Sequence, residues 1–263
     1  MTFKGSLTVT HIGTATSIID IDGIKFLTDP VFNGPSEYDV GITVLKSTEG
    51  PAITIDNLPH IDAILLSHED HPDNLDDLGR TLLNGRKVIT TMDGCQKLQP
   101  RPDVRGIKPW ETIKMNIQGK EFEITGTPCQ HLPGGECTGF IITTESFGYN
   151  EQGLRNAVFF TGDTVYLDEL KELKEVKKYH TVAAIMNLGV ATAPFEQPLK
   201  LTMGGKDASK LFKELEADVL IPIHFESWNH FKEHGDDLAK AFEDEGVQHK
   251  VAWLTPGKAK KIF

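Results

Sequence analysis

Nowhere does the chain hold a run of about 18 apolar residues, so it offers no candidate membrane-spanning helix and no membrane partner is expected. Its opening stretch, Met1–Thr10, lacks the apolar segment and small-residue cleavage pattern of a secretory leader, and reads as a first strand. Cysteine is scarce: Cys95, Cys129 and Cys137 are the full set, and none forms a Cys-x-x-Cys pair. An odd count without a leader points to free thiols in a reducing compartment, the cytoplasm, and excludes a disulfide scaffold. Positive charge is also short, with 27 basic against 38 acidic residues and a net charge of −11. Nucleic-acid binding rests on Lys and Arg neutralising phosphates, so a polyanionic partner is not expected. The Lys171–Lys178 stretch mixes Lys with Glu, as a solvated helix face does. No repeat and no low-complexity linker divides the chain, and residues 1–263 read as one domain.

What is present begins with strands. Ser6–Ile12, Ser17–Ile21 and Lys25–Leu27 read as consecutive strands, with Asp22-Gly23 as a tight hairpin turn between the last two. A polar loop punctuated by Gly and Pro follows over Pro30–Pro59, and then a short apolar strand over Ile61–Leu66. A helix is expected over Leu75–Leu83, with Asn74 as its N-cap, Asp76 and Asp77 in its first turn and Gly85 beyond its end. Further strands are expected at Lys87–Thr91, Thr112–Ile117, Glu121–Gly126, Gly139–Thr144 and Asn156–Thr161. Helices over Asp168–Lys178, Lys206–Leu215 and Asp236–Glu245 each lead to a strand, at Val182–Leu188, Val219–Ile223 and Lys250–Trp253. Strands first and alternating helix and strand later suit an α+β fold of two sheets face to face with helices outside, a four-layer αββα sandwich.

The chemistry-bearing residues lie at strand ends. His68, Asp70, His71 and Asp73 crowd into six positions just after the Ile61–Leu66 strand, where a rigid sheet would fix ligand positions. Imidazole and carboxylate together suit zinc, iron or manganese, and the same residues would also serve a polar turn capping a helix. Three more residues sit the same way: His131 after Gly126-Thr127-Pro128-Cys129-Gln130, Asp163 after Phe159-Phe160-Thr161-Gly162, and His224 after Leu220-Ile221-Pro222-Ile223.

With His11-Ile12-Gly13-Thr14-Ala15-Thr16 and Phe26-Leu27-Thr28-Asp29-Pro30 ahead of them, these motifs in this order resemble the metallo-β-lactamase-fold hydrolase superfamily over nearly the whole chain. The resemblance implies the αββα fold and a metal-activated hydroxide. It implies that His68, His71 and His131 hold a first metal, and that Asp73 and His224 hold a second with Asp163 bridging. The chain departs from the usual His-x-His-x-Asp-His motif: its first two histidines are three apart, and Asn74 stands where the last would be. The second position would then be weaker, filled by another metal or empty, or Asp70 would replace a histidine. One or two Zn²⁺ ions are expected, with Mn²⁺ or Fe²⁺ as alternatives.

Asp73 is the candidate to orient the attacking water and relay its proton, and Asp29 to steady ligand geometry. Tyr166 is a candidate hydrogen-bond donor to a developing oxyanion. His11 reads as a buried supporting residue; His60, His180, His234 and His249 read as surface residues, and His230, close behind His224, reads as a surface loop residue or as part of the pocket lining. Phe32, Tyr38, Val40, Trp110, Phe195, Met203 and Trp228 are candidate pocket walls. A small neutral substrate, a lactam or lactone, fits such walls. A metal-dependent phosphodiesterase and a non-catalytic relative of the fold are the competing readings.

Overall fold

The computed structural model describes residues 3–263; Met1 and Thr2, the start of the expected N-terminal strand region, lie outside the described residues. In chain order the early strands are β1 (Leu7–Gly13), β2 (Thr16–Ile21), β3 (Ile24–Thr28), β4 (Glu37–Asp39), β5 (Val44–Lys46), β6 (Ala63–Leu65), β7 (Lys87–Thr90) and β8 (Val104–Gly106). Then come β9 (Thr112–Ile117), β10 (Lys120–Thr127), β11 (Gly139–Thr144), β12 (Arg155–Phe160) and β13 (Tyr179–Asn187). The last are β14 (Thr192–Ala193), β15 (Leu199–Lys200), β16 (Val219–Ile223) and β17 (Lys260–Lys261). The helices are α1 (Asp77–Leu82), α2 (Met92–Lys97), α3 (Glu172–Glu175), α4 (Gly205–Glu214) and α5 (Gly235–Asp244).

One sheet of seven strands runs β17-β1-β2-β3-β6-β7-β8, and another of six runs β16-β13-β12-β11-β10-β9. Their inner faces share one apolar core that takes Leu7, Phe26 and Leu65 from the first and Phe122, Phe160 and Ile185 from the second. The rings of Phe26 and Phe122 meet edge to face across the seam, 5.1 Å apart. Helices α4 and α5 close the outer face of the six-stranded sheet with Leu211, Phe212, Leu238 and Phe242, and α1 lies on the outer face of the other with Leu82. This is the αββα sandwich. Among the described residues no helix is long and apolar enough to cross a membrane.

The strands next to the site follow the sequence pattern closely, β16 to the residue. The Asp22-Gly23 hairpin forms with both residues at positive φ, 53° and 87°, as the tight turn demands. Elsewhere the structure corrects the expectation. The Pro30–Pro59 loop contains the β4–β5 hairpin. Helix α1 is capped by Asp76, whose side chain accepts from the Gly79 amide, and not by Asn74. Asp76 also accepts from the amides of Phe32 and Asn33, so it is buried under the chain that follows Asp29 and serves two segments at once. The Asp168–Lys178 helix shrinks to a 3₁₀ turn and α3, and α2 has no counterpart in the sequence reading. Lys250–Trp253 is not a strand: Val251 makes one bridge to Leu220, and the terminal strand is β17, paired with β1.

Candidate metal centre

Every donor of the site sits just past a strand of the sandwich. His68, His71 and Asp73 follow β6, His131 follows β10, Asp163 follows β12 and His224 follows β16. They converge from both sheets at one end of the seam as two groups, His68–His71–His131 and Asp73–Asp163–His224, whose donor atoms lie within 4.8 Å of one another in each group.

Asp29 holds the β6 turn in place from the end of β3. Its Oδ1 accepts from the Ser67 amide at 2.6 Å, and its Oδ2 accepts from the Ser67 hydroxyl at 2.8 Å and the Asn74 amide at 3.2 Å. Both ends of the His68–Asp73 turn are thus tied to one carboxyl. Burial, opposed by the Ser67 hydrogen bonds, pushes that carboxyl up to about 8. Gly79 lets α1 approach this segment, because a Cβ there would stand 1.8 Å from the Pro30 carbonyl oxygen.

The proton accounting of the three imidazoles fits a cation. When Asp29 is ionised the Ser67 hydroxyl donates to it, so Ser67 receives the Nδ1–H of His68 at 2.8 Å and leaves Nε2 of His68 a bare lone pair. His131 gives its Nδ1–H to the Leu201 carbonyl at 3.0 Å and likewise turns a bare Nε2 inward. Both face Nδ1 of His71, at 3.0 and 3.1 Å. One N–H cannot serve two lone pairs at once, whereas a divalent ion accepts all three nitrogens. Burial, with repulsion from His71, holds His68 well below the usual imidazole range, and burial lowers His131 too, so both are neutral as ligation requires.

The second group is built around His224. This residue adopts left-handed backbone, φ 63°, a conformation that residues other than glycine rarely take. Its amide donates to the Thr14 carbonyl at 2.9 Å, which also receives Nε2–H of His11 at 3.0 Å. Nδ1 of His224 donates to the Leu188 carbonyl at 3.2 Å. Nε2 then points between Asp163 Oδ2 at 3.3 Å and Asp73 Oδ2 at 3.5 Å, with no hydrogen-bond partner of its own among the described residues. Burial acts against charge on His224, yet the Asp163 and Asp73 carboxylates outweigh it and raise the imidazole to about 9. The two carboxylates that favour a proton there would also favour a cation between them once that proton is displaced. Asp163 offers Oδ1 to the Asn187 amide at 2.6 Å and turns Oδ2 to both groups, lying 4.0 Å from His131 Nε2. That is the place a bridging carboxylate needs.

The structure adds a residue and removes others. His230, for which the sequence left a surface loop and the pocket lining both open, lies inside, its Nε2 3.1 Å from Asp73 Oδ2. Its imidazole is hydrogen-bonded to Asp73, whereas Asn74 turns to Asp29. Its only sequence signal is its spacing after His224, across a loop bent by Ser227 at φ 76°. Asp70 is exposed at the rim and belongs to neither donor group. Tyr166 does not reach the site: its hydroxyl is bound to Asp168 and Glu214, at 2.8 and 2.7 Å, with Lys210 over its ring. Burial and those carboxylates push the phenol above its usual range, which makes it a poorer acid. Beside His68, burial and the neighbouring Cys129 push the Cys137 thiol well up, so it stands there neutral.

Above both groups opens a cavity of roughly 290 Å³. Val40, Ile42 and Leu45 of the β4–β5 hairpin, with Leu132, Pro194 and Leu201, wall it, and among the described residues no Lys or Arg lines it. Of the seven expected wall residues only Val40 takes part. Tyr38 stacks on buried Trp228; Phe32 and Met203 are core; Trp110 pairs with Glu169; and Phe195 is exposed and outside the wall.

Residues 25–225 match the family model described as a beta-lactamase superfamily domain. The chain belongs to the beta-lactamase superfamily. Among its relatives in the superfamily, a UPF0173 metal-dependent hydrolase of Methanopyrus kandleri is 25% identical over 95% of this chain and 98% of the relative. An N-acyl-phosphatidylethanolamine-hydrolyzing phospholipase D of Caenorhabditis elegans is 34% identical over 69% of this chain, which spans 54% of that longer protein. Among solved structures, an isothiocyanate hydrolase from Delia radicum gut bacteria superposes with a TM-score of 0.76 at 20% identity, covering 96% of this chain and 98% of the other. A possible metal-dependent hydrolase from Veillonella parvula gives 0.74 at 19% identity, covering 98% and 99%. At such identities the structures speak for the shared superfamily fold.

Proposed function

We propose that this metal-dependent hydrolase of the beta-lactamase superfamily opens small neutral cyclic amides or esters, lactams or lactones. The observation that carries the reading is the cavity: two groups of metal donors at its floor, apolar walls around it, and no lining Lys or Arg to receive an anionic substrate. His68, His71 and His131 would hold one divalent ion, and Asp73, Asp163 and His224 a second. Zinc suits the all-imidazole set, and Mn²⁺ or Fe²⁺ also suits the carboxylate-bearing one. Such ions, when bound, lower the pKa of water to about 7 and polarise the substrate's carbonyl oxygen.

The chain's own residues do the rest. Asp73 lines the cavity beside His230 and His224, and its carboxylate would take the proton of the attacking water and return it to the leaving nitrogen or oxygen. The apolar walls exclude bulk water and orient the ring. Three free, half-buried thiols suit a reducing cytoplasm. The likeness to the worm phospholipase favours a second reading, a small phosphodiester.

The test is a substrate panel on zinc-loaded protein: alkyl-substituted lactones, a chromogenic β-lactam, bis-nitrophenyl phosphate, and an aryl isothiocyanate prompted by the structural neighbour. Chelator-sensitive opening of lactones or lactams is the expected result. Turnover of the phosphate ester alone overturns the substrate class, and turnover that survives complete metal removal overturns the mechanism.

A further inference from the structure

β10 and β11 pair antiparallel from Phe122↔Thr144 to Thr127↔Gly139. Carried two steps further, the same register sets Cys129 opposite Cys137. Residues directly opposite in an antiparallel ladder have Cα atoms about 4.5–5.5 Å apart, inside the span of about 4.4–6.8 Å that a disulfide bridges. Past Thr127 the ladder opens, because the Thr138 amide turns to the Ser67 carbonyl. The thiols nevertheless stay together. Cys129 Sγ lies 3.4 Å from the Thr161 carbonyl oxygen and Cys137 Sγ 3.2 Å from that of Asp163, two anchor points on one short turn. After burial, Cys129 is the strongest influence on the Cys137 thiol, which it pushes up. Both residues are half-buried rather than sealed in the core. Between them runs the loop of residues 130–136, which carries His131 into the three-histidine group and Leu132 into the cavity wall. Cys137 Sγ lies 3.6 Å from His68 Nδ1.

We propose that Cys129 and Cys137 form an oxidative modification site, closing to an intramolecular disulfide at the base of the His131 loop when the chain meets a low-molecular-weight disulfide such as glutathione disulfide. The thiolate of one cysteine attacks a sulfur of the oxidant; its S–S bond breaks and one glutathione leaves with the displaced proton. The second cysteine attacks the mixed disulfide and releases the second glutathione with the second proton. The cysteine pair gives up two electrons, and the oxidant takes two to become two thiols. In a reducing cytoplasm such a bond is transient and reversible. Closure shortens the base of the loop that aims His131. Metal binding at the three-histidine position then weakens by roughly 10- to 100-fold, the range seen when groups that support a ligand are displaced.

The test uses the metal-loaded full chain incubated with glutathione disulfide, then alkylated, digested and weighed. The expected product links Cys129 to Cys137, lighter by two hydrogens, with Cys95 still alkylated, and dithiothreitol restores all thiols. Cys95→Ser forms the same link; Cys129→Ser and Cys137→Ala do not, and they keep their metal in the oxidant. Mapping on the unmodified chain stands even where a variant folds poorly. Glutathione adducts without the internal link, a link through Cys95, or no loss of thiols overturns the site. An internal link formed with metal affinity unchanged overturns its coupling to the metal.

Discussion

Removing the His230 imidazole is the sharpest perturbation of the second metal position. Its Nε2 stands 3.1 Å from Asp73 Oδ2, and its side chain is 11% exposed. A buried hydrogen bond to a charged group contributes about 1.5–3 kcal/mol. If His230 acts by holding Asp73, His230→Ala should weaken the second ion by roughly 10- to 150-fold, since each 1.4 kcal/mol is tenfold. The His68–His71–His131 group shares no hydrogen bond with His230 and should keep its ion. Titrating chelator-stripped protein with zinc, read by calorimetry and by metal content after desalting, should show two equivalents in the parent and one tight plus one weak equivalent in the variant. His230→Gln, which restores an N–H donor, should recover part of the loss. Unchanged affinity for both ions would refute the role given to His230, and loss of both would show that it supports the whole centre.

Other outcomes follow from the same geometry. His131→Ala should lose the first ion, measured by metal content, while circular dichroism stays that of the folded chain. Filling the second position should release close to one proton at pH 7.5, because His224, raised to about 9, is protonated in the metal-free protein. By sign, a folded pKa above the unfolded one stabilises fully below about 6.5 and loses that effect as pH rises through about 9. Calorimetry in buffers of different ionisation enthalpy measures the release, and melts of the metal-free chain from pH 6.5 to 9 should show falling stability. Ile42→Asp, at a residue 54% exposed on the cavity rim, should raise KM for alkyl lactones about tenfold with kcat little changed, in line with the roughly 1.5–3 kcal/mol of burying such a side chain. Gly79→Ala should lower stability by at least about 1–3 kcal/mol in urea melts, because its Cβ would stand 1.8 Å from the Pro30 oxygen.

The residues that the structure gathers into the two groups were legible because each follows an apolar strand, where burial makes the strand visible and the next polar residue conspicuous. The same logic left His230 undecided. It lies in an irregular loop whose course is set by backbone contacts such as Thr48 N–H to the Ser227 carbonyl, and loops carry no periodicity to read. Asn74 looked like a helix cap because Asn is a good one, but its amide is taken by Asp29, a partner 45 positions away that no local pattern reveals. Tyr166 misled for a similar reason: its distance from Asp163 in sequence is short, yet the chain turns it toward Glu214 on α4. The β4–β5 hairpin was missed because its strands are three residues each and largely exposed. β17 was missed because a two-residue edge strand has no room to alternate.

Both donor groups draw residues from opposite halves of the sandwich: the β6 turn belongs to the seven-stranded sheet, and His131, Asp163 and His224 to the six-stranded one. An ion seated there rivets one half to the other. Peeling the halves apart must release it, so heat resistance should climb with free metal, by about 2.7 kcal/mol when the ion is a hundredfold above its dissociation constant. The catalytic cation would then double as a clasp, and starving the cell of metal would threaten the protein's survival as well as its turnover.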